Sequence, residues 1–260
     1  MSSTSIDQLG RDAAVVRQEP LDSRAAFLRK LGLGAGAVVG GGLLLGRPAT
    51  AFAGHGPPDA SVMDADILQY ALTLEYLEAT FYTQALGGSG TTGVPASSAK
   101  FNRGAITGSK LLKAFGGRVR STAYGYLTAI RNHEVAHVVF LRAGLTAAGA
   151  TPVRPATFNF SAGLGSVGAF LKTAQLLENT GVMAYDGAIR YVDTADFLQA
   201  SAQIATVEAR HAAYLNLINR GSPFPTAFDL GKKPSEILAA ARPFITSVPA
   251  EVTALFGRLP

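Results

Sequence analysis

Two Glu-x-x-His pairs constrain this sequence more than any other feature. They are Glu134 with His137 and Glu208 with His211, in a chain that has only four histidines. With eight glutamates and four histidines in 260 residues, chance would supply about 0.1 such pairs. Residues three apart lie on one face of an α-helix, so each pair directs a carboxylate and an imidazole toward one point. The spacing therefore predicts two helices that each contribute two ligands to a metal site.

A second repeat accompanies the first. Glu75 is followed seven residues later by Tyr82, and Glu178 is followed seven residues later by Tyr185. Seven residues are about two helical turns, so each tyrosine lies on the same face as its glutamate. Each of these helices precedes a Glu-x-x-His helix, which predicts two helical hairpins related by a pseudo-twofold axis. The tyrosines can hydrogen-bond a ligand carboxylate or simply pack in the core.

Glu78 and His133 are neighbours of the predicted ligands. Glu78 lies one turn after Glu75 and can replace it as a ligand or lie on the surface, but the tyrosine spacing favours Glu75. His133 directly precedes a predicted ligand and is rotated by about 100° around the helix, so we expect it off the metal face. The predicted ligands are Glu75, Glu134, His137, Glu178, Glu208 and His211.

The composition around these residues favours a buried metal site. The flanks of the glutamates are apolar, and the chain is 48% hydrophobic and only 16% charged. Buried carboxylates are costly unless they are paired or metal-bound, which predicts two divalent ions that compensate four carboxylates. Carboxylate oxygen with imidazole nitrogen suits Fe(II), Mn(II) or Zn(II), and iron and manganese share this ligand set.

Other classes of site are excluded or unsupported. The chain has no cysteine, so disulfides, iron–sulfur clusters, thiolate metal sites and cysteine nucleophiles are excluded. Lys and Arg nowhere form a run longer than two residues, so nucleic-acid binding has no support despite a net charge of +5.

Apolar residues at helical spacing predict a single all-α domain, an antiparallel four-helix bundle over residues 64–221. A long first connection at 87–118, with a short helix near 110–115, and a second connection at 151–165 join its helices. A C-terminal extension at 222–260 is expected to pack on the bundle and to hold a helix at 235–241. No strand is predicted. The four helices are expected at about 64–86, 121–148, 166–191 and from the turn at 193–194 to about 219.

The first 53 residues are predicted to be an export signal, followed by a linker at 54–63. A basic patch precedes an apolar run at 31–45, and the small-x-small sequence after it predicts cleavage behind Ala53. The run is too short and too rich in glycine for a transmembrane helix. The stretch 23–29 resembles a twin-arginine signal in which Ala25 replaces the second arginine, so the folded-protein exporter, the general exporter and an uncleaved anchor all remain open.

The motifs together resemble the ferritin-like superfamily, and more closely its secreted, desiccation-related ferritin-like branch. The resemblance covers about residues 62–246. It includes a C-terminal stretch at 223–245 as well as the ligand motifs, which lie at 74–82, 133–137, 177–185 and 207–211.

This resemblance implies a bundle in which Glu134 and Glu208 bridge two Fe or Mn ions. Glu75 and Glu178 would complete the terminal positions with the two histidines. Members of the superfamily oxidise ferrous iron with O₂ or peroxide, store iron, dismute peroxide, or hydroxylate and desaturate substrates. The leading hypothesis is therefore an exported redox protein that consumes peroxide or O₂, or oxidises Fe(II), in oxidative or desiccation stress.

Two alternatives remain open at this point. One is a non-catalytic stress protein that uses the fold for protection during drying. The weaker one is iron storage in a shell, because the long first connection and the C-terminal extension add bulk to a cage subunit. An oligomer is compatible with the sequence, which leaves its size open.

Overall fold

Residues 64–260 are described by a computed structural model of the chain, and the predicted export signal and linker lie outside them. No helix in this region is both long and apolar enough to span a bilayer. The described residues form eight α-helices: α1 (Asp64–Leu86), α2 (Arg103–Gly108), α3 (Lys110–Lys113), α4 (Gly117–Ala147), α5 (Val167–Ala188), α6 (Ala195–Ile218), α7 (Pro234–Ala241) and α8 (Ala250–Phe256).

The four long helices α1, α4, α5 and α6 form an antiparallel bundle, which confirms the all-α prediction. Helix α1 pairs with α4: Gln69, near the start of α1, hydrogen-bonds Thr151 just beyond α4, and Gly87 at the other end accepts a hydrogen bond from Arg131. Helix α5 pairs with α6 in the same way, and Asn219 at the end of α6 donates to the carbonyl of Leu171 early in α5. The chain thus folds into two helical hairpins.

Local signals set the helix ends. Helix α1 ends before Gly87 and α4 ends near Gly149, and both glycines have positive φ values, 78° and 81°, which suit a glycine C-cap. Ser166 is the N-cap of helix α5, and its hydroxyl accepts a hydrogen bond from the Ala169 amide. Asp64 at the start of α1 accepts hydrogen bonds from the two amides that precede α6. The first helix is thereby fastened to the last at one end of the bundle.

Helix α1 is buried around its whole circumference. Every residue from 67 to 83 is buried, including aromatic residues such as Tyr76 and Phe81. A helix that is enclosed on all sides cannot place a polar side chain in solvent, so its polar groups need partners inside the protein. The glutamates of α1 are therefore interior residues.

The connections and the extension pack on this bundle. The first connection contains α2 and α3, close to the single short helix that was predicted there. A small antiparallel pair joins β1 (Thr157–Phe158) to β2 (Ile245–Ser247), whereas the sequence predicted no strand, because two or three residues are too few for a periodic pattern. In the C-terminal extension, buried Ile237, Val252 and Leu255 belong to the core.

Candidate metal centre

All four bundle helices contribute polar side chains to one buried cluster at mid-height. Their apolar neighbours form the buried core around the cluster, so the glutamates and histidines are directed at the bundle axis. The four predicted ligand glutamates are 0% exposed, and the two histidines are 4% and 5% exposed. The contributors are Glu75 and Glu78 from α1, Glu134 and His137 from α4, Glu178 from α5, and Glu208 and His211 from α6.

Six of these residues form two overlapping groups that can each hold a metal ion. In each group, one ligand atom per residue lies within 4.8 Å of every other. Glu134 and Glu208 belong to both groups, as expected for carboxylates that bridge two positions. The first group adds Glu75 and His137 to this pair, and the second adds Glu178 and His211. The six side chains predicted as ligands are thus brought together.

The first group is arranged around the Nδ1 atom of His137. This atom lies 3.2 Å from Oε2 of Glu75, 3.1 Å from Oε2 of Glu134 and 3.3 Å from Oε1 of Glu208. One imidazole nitrogen therefore contacts carboxylates from three helices.

The second group repeats this pattern around Nδ1 of His211. It lies 3.0 Å from Oε2 of Glu178 and 3.0 Å from Oε1 of Glu134. The two oxygens of Glu134 are therefore divided between the two histidines, Oε2 toward His137 and Oε1 toward His211. The sequence left the partition of the histidines open, and the structure places His137 beside Glu75 and His211 beside Glu178.

Two tyrosines connect the hairpins across the cluster. The Tyr82 hydroxyl on α1 donates a 2.6 Å hydrogen bond to Oε1 of Glu178 on α5, and the Tyr185 hydroxyl on α5 donates a 2.5 Å hydrogen bond to Oε1 of Glu75 on α1. The seven-residue spacing predicted that each tyrosine lies on the same face as the glutamate of its own helix. Each tyrosine instead hydrogen-bonds the glutamate of the other helix. Each hydrogen bond leaves the second carboxylate oxygen facing a histidine.

Glu78 lies beside the cluster but in neither ligand group. Of the positions that the sequence left open for it, the surface position is wrong, because Glu78 is only 3% exposed. No hydrogen bond from a described residue reaches its carboxyl group. A Cβ placed on Gly181 of α5 would lie 3.3 Å from Oε1 of Glu78 and 2.9 Å from Oε2 of Glu208. Gly181 therefore lets the α5 backbone approach both carboxyl groups. The only sign of this role in the sequence is a glycine inside a predicted helix, three residues after Glu178.

His133 is exposed and belongs to neither group, yet it contacts one of them. Its Nδ1 lies 2.9 Å from Nε2 of His211, and the two rings stack with centroids 5.1 Å apart. Rotation around α4 takes His133 away from His137 but toward α6, a contact that spacing within one helix does not reveal. Since Nδ1 of His211 faces the carboxylates, its Nε2–H is free to donate to His133. Such partners fix the tautomer of a metal-binding histidine.

Burial and mutual repulsion disfavour the ionised form of most of these carboxyl groups in the metal-free protein. Burial raises the pKa of Glu75 to about 7 and raises the pKa of Glu178. Burial and the charges of neighbouring glutamates raise the pKa of Glu78 and Glu208 well above the usual range. The cluster therefore holds more acid groups than the core can keep ionised without added positive charge.

The histidines supply part of that positive charge. Burial alone would lower the pKa of His211, but Glu178 and Glu134 outweigh it and raise the pKa to about 11. His137 responds in the same way, with a pKa held well above its usual value by Glu75 and Glu134. The pKa of Glu134 is lowered despite its burial, because both histidines face it. Protons on the two imidazoles thus occupy the positions where cations are favoured.

The donor set fits two divalent ions better than it fits protons. Oε1 of Glu134 and both oxygens of Glu208 are buried without a hydrogen bond of good geometry. A histidine Nδ1 lies 3.0 Å from Oε1 of Glu134 and 3.3 Å from Oε1 of Glu208. Oxygens in this state are typical of ligands that lack their cation. Two dications would balance the four carboxylates of the two groups, of which Glu134 and Glu208 are shared. Oxygen and imidazole nitrogen are ligands that iron and manganese accept.

Comparison with known proteins agrees with this arrangement. Residues 63–220, more than half of the chain, match the family model described as Ferritin-like domain. A search of curated proteins gave no significant match. The matched region contains all four bundle helices and both ligand groups. The chain therefore belongs to the ferritin-like domain family.

Proposed function

We propose that this protein binds two Fe or Mn ions in the bundle and uses them in redox chemistry with O₂, peroxide or Fe(II). The observation that carries the proposal is the doubled ligand group, in which two sets of four buried ligand atoms share Glu134 and Glu208. A single structural ion would need only one of these sets. Iron or manganese bound there would supply a reversible change of valence.

Each residue of the cluster has a place in this proposal. Glu134 and Glu208 would hold both ions, Glu75 with His137 would complete one position, and Glu178 with His211 would complete the other. The cross-bundle hydrogen bonds from Tyr82 and Tyr185 would orient the two terminal carboxylates. The apolar core around the cluster would exclude water and strengthen the attraction between ions and ligands.

The proposed setting is outside the cytoplasm. A basic patch, an apolar run and a small-x-small sequence follow one another up to Ala53, and we expect cleavage behind that residue. This order and the resemblance to a secreted, desiccation-related branch support the proposal. In that setting the protein would remove peroxide or O₂, or oxidise Fe(II), and so protect the cell envelope during oxidative or drying stress.

Metal analysis of the purified protein tests the proposal. We expect close to two Fe or Mn ions per wild-type chain and a loss of both in Glu134→Gln combined with Glu208→Gln. Glu236→Gln is the matched control, since Glu236 is exposed on α7, belongs to neither ligand group, and as Gln can still accept the capping hydrogen bond from the Lys233 amide. Absence of stoichiometric metal in the wild type, even after anaerobic addition of Fe(II) or Mn(II), would contradict the proposal.

The reaction needs a second assay. Metal-loaded wild-type protein and the Glu236→Gln control should consume peroxide or O₂, or oxidise added Fe(II), at equal rates, and the double variant should not. If two ions bind but no turnover is measured, the metal site is supported and the redox role is rejected. The ions would then have a structural function.

A further inference from the structure

An open groove of about 640 Å³ lies on the surface of the bundle, and none of its described lining residues belongs to a ligand group. Thr80 and Gln84 of α1 lie at its base. One wall is the segment 95–100 of the first connection, and the other is mainly the segment 158–161, which begins at the end of β1. Pockets that bind small organic molecules have volumes of about 300–1,000 Å³, so the groove has room for such a ligand.

Both walls are held in place by backbone hydrogen bonds. In the first wall, Ser97 exchanges two backbone hydrogen bonds with Gly88, and the Phe101 amide donates to the last turn of α1. In the second wall, the Asn159 amide donates a 2.9 Å hydrogen bond to the carbonyl of Phe244, just before β2. A site whose walls are fixed before binding loses little conformational entropy when a ligand enters. The groove is therefore a preformed feature of the fold.

The groove contains polar side chains whose hydrogen-bonding capacity the described protein leaves unused. Gln84 is half-buried, and no hydrogen bond from a described residue reaches its side-chain amide. Thr80 is 6% exposed, and its hydroxyl also lacks a described partner. The Asn159 side chain accepts a hydrogen bond from the Ser161 amide, but its NH₂ group has no described acceptor. These groups suit a ligand that is rich in hydroxyl groups.

Charge and apolar contacts narrow the class of ligand further. Lys100 is the only charged side chain among the described lining residues, and it is exposed without an ion pair to a described residue. No carboxylate lines the described part of the groove, so a cation has no partner there. Phe158 is half-buried, and its ring stacks on Phe160 with centroids 5.7 Å apart. The second wall thus places an aromatic surface beside polar groups, a combination that suits the C–H face and the hydroxyl groups of a sugar ring.

We propose that this groove binds a hydroxylated organic anion of about monosaccharide size, a sugar phosphate or a sugar acid. Its hydroxyl groups pair with Gln84 and Asn159, and its ring packs on Phe158. Its negative charge faces Lys100. The inference does not depend on the proposed redox function, because the groove and the ligand groups share no residue.

Isothermal titration calorimetry of the purified protein tests the site. Glucose 6-phosphate and glucuronate represent the two kinds of anion, and at least one should bind with one site per chain. Glucose, which lacks the charge, and inorganic phosphate, which lacks the sugar ring, should bind at least about tenfold more weakly. Binding should be the same with metal bound and after its removal. Binding of neither anion, equally tight binding of phosphate, or binding that is lost with the metal would overturn the proposal.

Two variants and a structure of the complex locate the bound anion. Lys100→Gln should weaken binding by about tenfold. Lys113→Gln is the matched control, since Lys113 is exposed on α3 and does not line the groove. Gln84→Leu should also weaken binding, and crystals of the wild-type complex should show the anion between the segments 95–100 and 158–161. Equal affinities for the wild type and Lys100→Gln, or an anion bound elsewhere in the crystal, would overturn the proposal.

Discussion

Removal of metal should make the stability of this protein fall as the pH rises from 5 to 8. In the metal-free fold, burial raises the pKa of Glu75 to about 7, while the same group in the unfolded chain titrates near 4.5. The pKa of His211 is raised to about 11 from 6.5. In both cases the folded state keeps a proton that the unfolded chain releases, so stability is greatest at low pH and is lost as the pH increases.

The size of the effect follows from these values. For Glu75, the rise from 4.5 to about 7 corresponds to about 3 kcal/mol, lost mostly between pH 5 and 7. His211 adds about 2 kcal/mol between pH 6.5 and 8, at about 1.4 kcal/mol for each pH unit above its unfolded value. A typical domain has about 5–15 kcal/mol in total, so this loss would be a third or more of the stability of the metal-free protein at pH 8. Glu134, whose pKa is lowered, acts in the opposite direction only below pH 4.5.

Urea unfolding at pH 5, 6, 7 and 8, with a chelator and with added Mn(II), measures the effect. Mn(II) should displace the protons and stabilise the fold, most strongly at high pH. Glu75→Gln should reduce the slope between pH 5 and 7, and the exposed control Glu236→Gln should follow the wild type. A metal-free stability that is constant or rises between pH 5 and 8 would refute the reasoning.

Three further substitutions have defined outcomes. His133→Ala should weaken the affinity of one of the two metal positions by about 10–100-fold in a metal titration. His133→Asn, which keeps an acceptor, should restore most of that affinity. Equal affinities for the wild type and His133→Ala would contradict this role of His133. Gly187→Ala would place Cβ 1.8 Å from the Lys232 carbonyl oxygen and should cost about 2 kcal/mol in urea unfolding. Gly125→Ala, in open space within α4, should instead stabilise the fold by about 1 kcal/mol. Tyr82→Phe should cost the metal-free protein about 2 kcal/mol, because a buried carboxyl group loses its donor, and an unchanged melting temperature would argue against that hydrogen bond.

Local spacing made the helices and the cluster predictable. The i, i+3 pairs and the apolar periodicity are properties of single helices, so they placed the bundle and directed Glu134 and Glu208 inward before any packing was known. Contacts between helices were not predictable in this way. The stacking of His133 on a histidine of α6 and the exchange of tyrosine partners depend on how neighbouring helices approach. The two short strands and Gly181 likewise carry no periodic signal.

The division of each ligand group between the two hairpins also affects how the protein unfolds. Neither hairpin contains a complete ligand group, since the first set takes Glu208 from the second hairpin and the second set takes Glu134 from the first. Bound ions would therefore act as cross-links between the two hairpins. Their removal should speed the separation of the hairpins more than the fraying of either one. Amide hydrogen exchange would detect this as faster exchange of amides on the helix faces at the α1–α5 and α4–α6 contacts, with amides on the α1–α4 and α5–α6 faces still protected.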